Sequence, residues 1–186
     1  MKIVSVSENQ SIEKRIAITP EIAKKYISFG FEVFLSKNYG AHLCITDEEY
    51  QNVGVKTSND EKEILNDANV VVQIGLPSDD KCSLLKQDQT LIGVLNPYNN
   101  KNKLDNLIKK KINVFSLELL PRITRAQSMD ILSSQANLAG YKAVIESFAN
   151  FEKAIPMMMT AAGTIPAAKV LVVGAGVAGL QAIATA

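Results

Sequence analysis

The sequence from residue 169 to residue 179 reads Lys169-Val170-Leu171-Val172-Val173-Gly174-Ala175-Gly176-Val177-Ala178-Gly179, and this stretch decides the fold class. Its valine-rich start is typical of a buried strand. The three glycines have the GxGxxG spacing, and residues 180–184 continue with the composition of a helix. Strand, glycine turn and helix in this order are the context in which GxGxxG indicates dinucleotide binding. An ordinary structural turn is the alternative, because glycines also serve tight turns.

Each position of the turn has its own physical role in a dinucleotide site. Gly174 permits the tight turn, Gly176 lets a pyrophosphate approach the backbone, and Gly179 lets the helix pack closely on the strand. The helix beginning near Val177 offers free N–H groups and a positive dipole end to phosphates. The acidic residue that would bind the adenosine ribose is expected about 20 residues further on, beyond Ala186. The motif therefore does not distinguish NAD from NADP.

The rest of the chain alternates apolar runs with helical patterns, which predicts an α/β fold with a doubly wound parallel sheet, Rossmann-like in its N-terminal region. Predicted strands covered on both faces are Ile3–Val6, Glu32–Leu35, Val70–Ile74, Leu91–Leu95 and Val114–Leu117. Predicted helices begin at Thr19-Pro20 (ending at Gly30), at Asp47, at Asp60 (to Asn66) and at Asn102 (to Lys111).

A longer helix is predicted from Ser128 to Phe151 and would connect two domains. Its predicted packing face consists of Ile131, Leu138, Tyr141, Ile145 and Phe148. Small residues make its middle thin enough for another backbone to approach: Ala136, Ala139, Gly140 and Ala143. The expected organisation is a Rossmann-like domain over 1–127, a connecting helix over 128–151, and the start of a second, dinucleotide-binding Rossmann domain over 152–186.

Composition excludes several classes of protein. Hydrophobic residues make up 47% and charged residues 21% of the chain, a balance typical of a globular protein. The net charge of +1 and the absence of a basic face argue against a nucleic-acid partner. Cys44 and Cys82 lack metal-ligand spacing, so we expect reduced thiols and no metal site. The apolar stretch Val170–Ala186 is at the short limit for a membrane span and fits a strand and helix better.

The segment Pro121–Asp130 is a polar loop that follows a predicted strand, where α/β folds place their ligands. It contains Arg122, Arg125, Gln127 and Asp130 beside a helix start. A solvated turn with an ordinary surface ion pair is the alternative interpretation, because such pairs are common and weak.

At this loop the sequence resembles a known family, the α subunit of the proton-translocating NAD(P) transhydrogenases. The resemblance covers essentially the whole chain, and its most specific segment is Arg122–Asp130 running into Leu132–Val144. Further matching segments, in order, are Arg15–Pro20, Gly30–Val33, Thr160–Gly163, Pro166–Val170 and the glycine turn.

The resemblance implies that the loop covers the nicotinamide ring of NAD(H). By this resemblance Gln127 hydrogen-bonds the nicotinamide carboxamide, Arg122 and Asp130 form an ion pair near the ring, and Ser133 contributes a hydroxyl. A glutamine amide answers both the donor and the acceptor of a carboxamide without adding charge. An Arg–Asp pair holds a loop while keeping its net charge near zero.

The related alanine dehydrogenases share the fold and are the alternative family. Oxidation of an amino acid needs a positioned base, and those enzymes carry a lysine at the position matching Gln73 and a histidine after the strand that ends at Leu95. This sequence has Gln73 and then Asn96-Pro97-Tyr98. Arg15, which binds the substrate carboxylate in those enzymes, is retained. The single histidine, His42, is expected to be structural, so no acid/base residue is predicted.

The resemblance also implies the surroundings of the chain. NAD(H) would bind here and pass hydride to NADP(H) on a partner domain, with membrane-embedded subunits coupling transfer to proton flow. The NAD(H)-binding component would be a homodimer on the cytoplasmic face of the inner membrane, or on the matrix side in mitochondria. The second domain of that family continues well past residue 186, so we expect the fragment alone to be inactive. A non-catalytic truncated remnant that dimerises through the long helix is a further alternative.

Overall fold

The computed structural model describes residues 1–186, which form two compact units, Met1–Leu120 and Pro121–Ala186. The first unit is built on a six-stranded, fully parallel sheet with the strand order β3-β2-β1-β4-β5-β6. Its strands are β1 (Lys2–Ser5), β2 (Glu32–Ser36), β3 (Lys56–Ser58), β4 (Val70–Val72), β5 (Thr90–Gly93) and β6 (Asn113–Ser116). This is the order of a doubly wound Rossmann sheet, which confirms the predicted fold class.

Helices cover both faces of this sheet, because successive residues of a strand point to opposite sides. Ile3 packs in a core cluster with Ala23 and Tyr50, whereas Val4 packs in a second cluster with Leu65. The helices of the first unit are α1 (Pro20–Ser28), α2 (Asp47–Asn52), α3 (Glu61–Asn66), α4 (Asp79–Leu84) and α5 (Lys101–Lys109).

Local capping explains where several of these helices begin. The Thr19 side chain accepts a hydrogen bond from the Ile22 N–H, and Pro20 occupies the first turn, as predicted. At α2, Thr46 and Glu49 form a reciprocal capping box. Asp60 caps α3 by accepting from the N–H groups of the two residues at positions 62 and 63.

Two elements of the first unit were missed by sequence reasoning. Strand β3 is short and polar and forms the edge of the sheet, where one side of the strand has no partner and apolar alternation is not required. Helix α4 has no apolar periodicity, and Ser78 at its start makes no capping hydrogen bond. Neither element carries the hydrophobic pattern from which the others were predicted.

The second unit contains α6 (Ile131–Ala149), an antiparallel hairpin of β7 (Met158–Thr160) and β8 (Gly163–Ile165), and α7 (Val177–Thr185). Thr124–Met129 forms a 3-10 turn ahead of α6. The hairpin falls in a region predicted to be a loop-rich crossing. The domain limits expected at residues 127 and 151 stay predictions.

Two predictions for the second unit were wrong. Residues 169–173 do not form a strand, because a strand needs a ladder of hydrogen bonds and no neighbouring strand pairs with them here. The predicted packing face of α6 is largely exposed, with Leu138 60% and Tyr141 49% accessible. The buried residues of α6 are instead Gly140 and Val144. None of the helices combines the length and the apolar composition needed to cross a bilayer.

Candidate functional site

The polar loop is anchored to the start of α6 by Asp130. This residue is the N-cap of the helix, and its Oδ1 atom accepts a 3.0 Å hydrogen bond from the Ser133 N–H. Ahead of it, the 3-10 turn Thr124–Met129 closes with a hydrogen bond from the Asp130 N–H to the Gln127 carbonyl oxygen. Ala126 is the only buried residue of this turn, so the turn presents its polar side chains to solvent.

Three of the predicted site residues form one hydrogen-bonded group. The Arg122 Nε atom lies 3.2 Å from Asp130 Oδ2, and the Ser133 hydroxyl donates to the same oxygen at 2.7 Å. The Arg122 Nη2 atom also donates to the Ser133 hydroxyl oxygen at 3.1 Å. The two Ser133 hydrogen bonds, from the hydroxyl and from the backbone, and then Arg122, lower the pKa of Asp130 to about 2. Asp130 is therefore a carboxylate at neutral pH.

Gln127 lies beside this group but makes no side-chain hydrogen bond within the chain. It lines an open groove of about 490 Å³ together with Arg122, Ile123, Thr124 and Asp130. A groove of this volume falls within the range of small-molecule sites. The loop thus offers one uncommitted amide next to a charge pair that is already neutralised.

The glycine turn before α7 has a different constraint at each glycine. Gly174 has φ +110°, a conformation that residues with a side chain rarely adopt. A Cβ on Gly179 would lie 2.7 Å from the carbonyl carbon of Gly174, so this glycine permits close packing within the turn. Gly176 has an ordinary backbone conformation, and a Cβ there would meet no protein atom within 4 Å. The space above Gly176 is therefore open.

The start of α7 has unsatisfied donors. The first intrahelical hydrogen bond runs from the Leu180 N–H to the Gly176 carbonyl oxygen, and no side chain caps the helix. The N–H groups of Val177, Ala178 and Gly179 accordingly have no acceptor within the helix. Open space at Gly176 beside free N–H groups at a positive helix end fits a pyrophosphate.

In the first unit, the crevice of the sheet lies at the carboxyl ends of β1 and β4, where the strand order reverses. Gln73 is buried there, and its amide is fully used. Its Oε1 atom accepts from the Ser5 hydroxyl and the Val6 N–H, while its Nε2 atom donates to the Val6 carbonyl and to Glu8. Gln73 thus ties β4 to the segment after β1 and has no proton to exchange.

The other residues compared with the alanine dehydrogenases are also engaged. Asn96, at the position matching the histidine, is exposed, and its N–H donates to Glu118. Arg15 makes a two-point contact with Glu13, with 2.8 Å and 2.6 Å hydrogen bonds. The His42 ring bonds the Lys14 carbonyl oxygen at Nε2 and the Gln10 side chain at Nδ1, which agrees with the expected structural role.

Glu8 is a further residue of the crevice, and sequence reasoning missed it. Its Oε1 atom accepts from the N–H groups of Ile74 and Gly75, and burial raises its pKa despite these hydrogen bonds. It is one of the residues of a cavity of about 320 Å³ that also includes Lys81. Its place directly after the first predicted strand was the available signal, because carboxyl ends of parallel strands line this crevice.

The chain matches two models of one family. Residues 5–139 match the family described as alanine dehydrogenase/PNT, N-terminal domain, and residues 143–186 match the alanine dehydrogenase/PNT, C-terminal domain. Among curated proteins it is 49% identical to the first of the separate NAD(P) transhydrogenase alpha subunit chains of Rickettsia prowazekii and 46% identical to that of Rhodospirillum rubrum. Each match covers 100% of this chain and 50% of the relative. An alanine dehydrogenase of Methanococcus maripaludis is 27% identical.

Solved structures agree with this grouping. The transhydrogenase from Sinorhizobium meliloti superposes with a TM-score of 0.92 at 44% identity, over 98% of this chain and 55% of that one. An L-alanine dehydrogenase shares the fold, with a TM-score of 0.82 at 20% identity over 99% of this chain and 51% of that one. The chain spans about half the length of the curated relatives it matches. It belongs to the alanine dehydrogenase/PNT family, and within that family it is more similar to the transhydrogenase alpha subunits than to the alanine dehydrogenases.

Proposed function

We propose that this chain belongs to the NAD(H)-binding component of a proton-translocating NAD(P)⁺ transhydrogenase, which passes hydride from NADH to NADP⁺ bound on another domain. One observation carries the proposal: the second unit holds both a pyrophosphate-type glycine turn with open space at Gly176 and a polar loop with one uncommitted amide, that of Gln127. The similarity to transhydrogenase alpha subunits along the whole chain supports it.

Each residue has a distinct task under this proposal. Gly174, Gly176, Val177 and Gly179 hold the pyrophosphate through the turn and the free N–H groups of α7. The Gln127 amide orients the nicotinamide by pairing with its carboxamide. NADH itself supplies the hydride.

Arg122, Asp130 and Ser133 act as support rather than as reacting groups. Their mutual hydrogen bonds fix the loop on the first turn of α6. The Arg122 and Asp130 charges offset one another, so the loop favours neither charge state of the ring strongly. This is useful for a transfer that must run between two similar nicotinamides, since the ring changes charge when hydride leaves.

A reaction between two nicotinamides needs orientation and exclusion of water but no proton transfer to a substrate. The chain fits this requirement, because Gln73 and Asn96 stand where an amino-acid dehydrogenase would need its acid/base groups. Arg15 is already bound to Glu13. We therefore favour the transhydrogenase over an alanine dehydrogenase.

The same resemblance supplies the proposed partners. We place an NADP(H)-binding subunit and membrane-embedded subunits in the complex, and a second copy of the NAD(H)-binding component as a homodimer. The complex would lie at the inner membrane, with this component on the cytoplasmic or matrix side.

The test uses the full-length protein that carries this chain. We expect NADH to bind it, and hydride to pass to NADP⁺ when its NADP(H)-binding partner is added, as followed by stopped-flow absorbance. Alanine is the matched control substrate and is expected to give no NADH from NAD⁺. Steady alanine-dependent formation of NADH would refute the assignment.

A further inference from the structure

The long helix α6 contains a single glycine, Gly140, in its interior. Glycine is the least favourable residue other than proline in the middle of a helix, because it leaves the backbone with the most freedom to lose. Gly140 is nevertheless buried, in a helix whose apolar side chains at positions 138 and 141 are exposed. A glycine at such a position calls for a packing reason.

The packing reason is the start of α7. A Cβ on Gly140 would lie 2.8 Å from the carbonyl carbon of Ala178, 2.9 Å from its Cα atom, and closer still to its carbonyl oxygen. These are backbone atoms, which cannot rotate away as the end of a flexible side chain can. The two helices pack against each other, and Ala182, one turn beyond Ala178, is the buried residue of α7.

This contact links the two halves of the proposed dinucleotide site. Asp130 fixes the polar loop to the first turn of α6, and Gly176 is the N-cap of α7. Gly140 lies ten residues after Asp130, which is about 15 Å along a helix at 1.5 Å per residue. The contact therefore holds the pyrophosphate turn at a fixed place along the helix that carries the nicotinamide loop.

We propose that Gly140 is a positioning residue, which sets the spacing between the polar loop and the glycine turn so that one dinucleotide spans both. The proposal rests on the proposed function, because it assumes that loop and turn bind opposite ends of NADH. Any side chain at position 140 displaces the start of α7 from α6 and changes this spacing, while the loop and the turn each keep their own hydrogen bonds.

The test is Gly140→Ala in the full-length subunit, with three measurements. ADP-ribose contains the pyrophosphate but lacks the ring, so its affinity is expected to stay within about twofold of wild type. Hydride transfer to NADP⁺ at saturating NADH is expected to fall by about tenfold or more, because a displacement of about an ångström at the reacting ring is costly. The melting temperature is expected not to rise, although alanine is the better helix residue.

Ala139→Ser is the matched control, since it adds one heavy atom at an exposed neighbouring position and should leave all three measurements unchanged. A stabilised Gly140→Ala protein with a normal transfer rate would overturn the proposal, as would an equal loss of ADP-ribose and NADH affinity. If Gly140→Ala does not fold, Ala182→Val decides, because it separates the same two helices one turn later: slower transfer with retained ADP-ribose binding supports the proposal, and normal transfer overturns it. Failure of the wild-type protein to bind NADH would instead refute the proposed function.

Discussion

At the scale of single residues, Asp130 gives its two carboxylate oxygens to different structures. Oδ1 caps α6 through the Ser133 N–H, and Oδ2 receives the Ser133 hydroxyl and Arg122. The loop therefore cannot leave its place without also disturbing the first turn of the helix. An ion pair between Arg122 and Asp130 was predictable from the resemblance, but the larger role of Ser133 follows from helix geometry.

The titration of Asp130 tests which partner matters more. Since its pKa is lowered, its interactions are fully present above the ordinary carboxyl range near 4 and are lost as the pH falls towards about 2. We expect Ser133→Ala to raise the pKa further than Arg122→Ala does, because the Ser133 hydrogen bonds are the larger cause. Carboxyl ¹³C NMR measures both; a greater shift in the arginine variant would contradict the geometry.

Gln127 is expected to act on rate rather than on recruitment. Gln127→Asn withdraws the amide by one methylene and should slow hydride transfer by about tenfold or more. NADH affinity should weaken only by about 1 kcal/mol, the net value of one neutral hydrogen bond. Ser128→Ala, at an exposed neighbour outside the groove, serves as control. A normal transfer rate in the folded Gln127→Asn protein would show that the loop does not contact the ring.

At the scale of secondary-structure elements, the glycine turn separates ligand space from packing space. Gly176→Val should weaken NADH binding by about tenfold or more while costing about 1 kcal/mol of stability or less, since valine is merely a poorer N-cap than glycine. Gly179→Ala should cost about 1–3 kcal/mol, because its Cβ is forced against Gly174. Denaturant unfolding and NADH titration of both variants decide; unchanged affinity in Gly176→Val would mean that no phosphate approaches there.

Elements with a strong hydrophobic period were predictable, and those held by other forces were not. The apolar runs at β1, β4 and β5 and the Thr19-Pro20 start of α1 were identified from sequence within a few residues. The face of α6 that is buried was not, because a glycine and small residues pack through backbone proximity, which a hydrophobic pattern does not record. Sequence reasoning noted the thin middle of that helix but not its neighbour.

At the scale of the whole molecule, nearly all of the apolar core belongs to the first unit. Every buried apolar residue except Ala126, Val144 and Ala182 lies within Met1–Leu120. Two clusters, one on each face of the sheet, contain them. The alternation of strands and helices predicted this architecture, whereas the pairing of β3 at the edge depended on contacts distant in sequence.

Residues 1–120 are therefore expected to fold without the remainder of the chain. The isolated segment should unfold in one cooperative thermal transition, because its sheet is covered on both faces by its own helices. Circular dichroism and dispersed amide NMR spectra measure this. A gradual, non-cooperative melt would show that the first unit depends on residues outside it.

Gln73 has an evolutionary consequence. Its amide occupies the switch point of the sheet as a built-in substitute for a ligand, and it satisfies both the N–H and the carbonyl of Val6. A lysine at this position has no acceptor to offer that buried N–H, so the substitution would break a structural tie before it restored any chemistry. The mutational path from this sequence to an amino-acid dehydrogenase therefore cannot begin with that one step; the segment after β1 would have to change first.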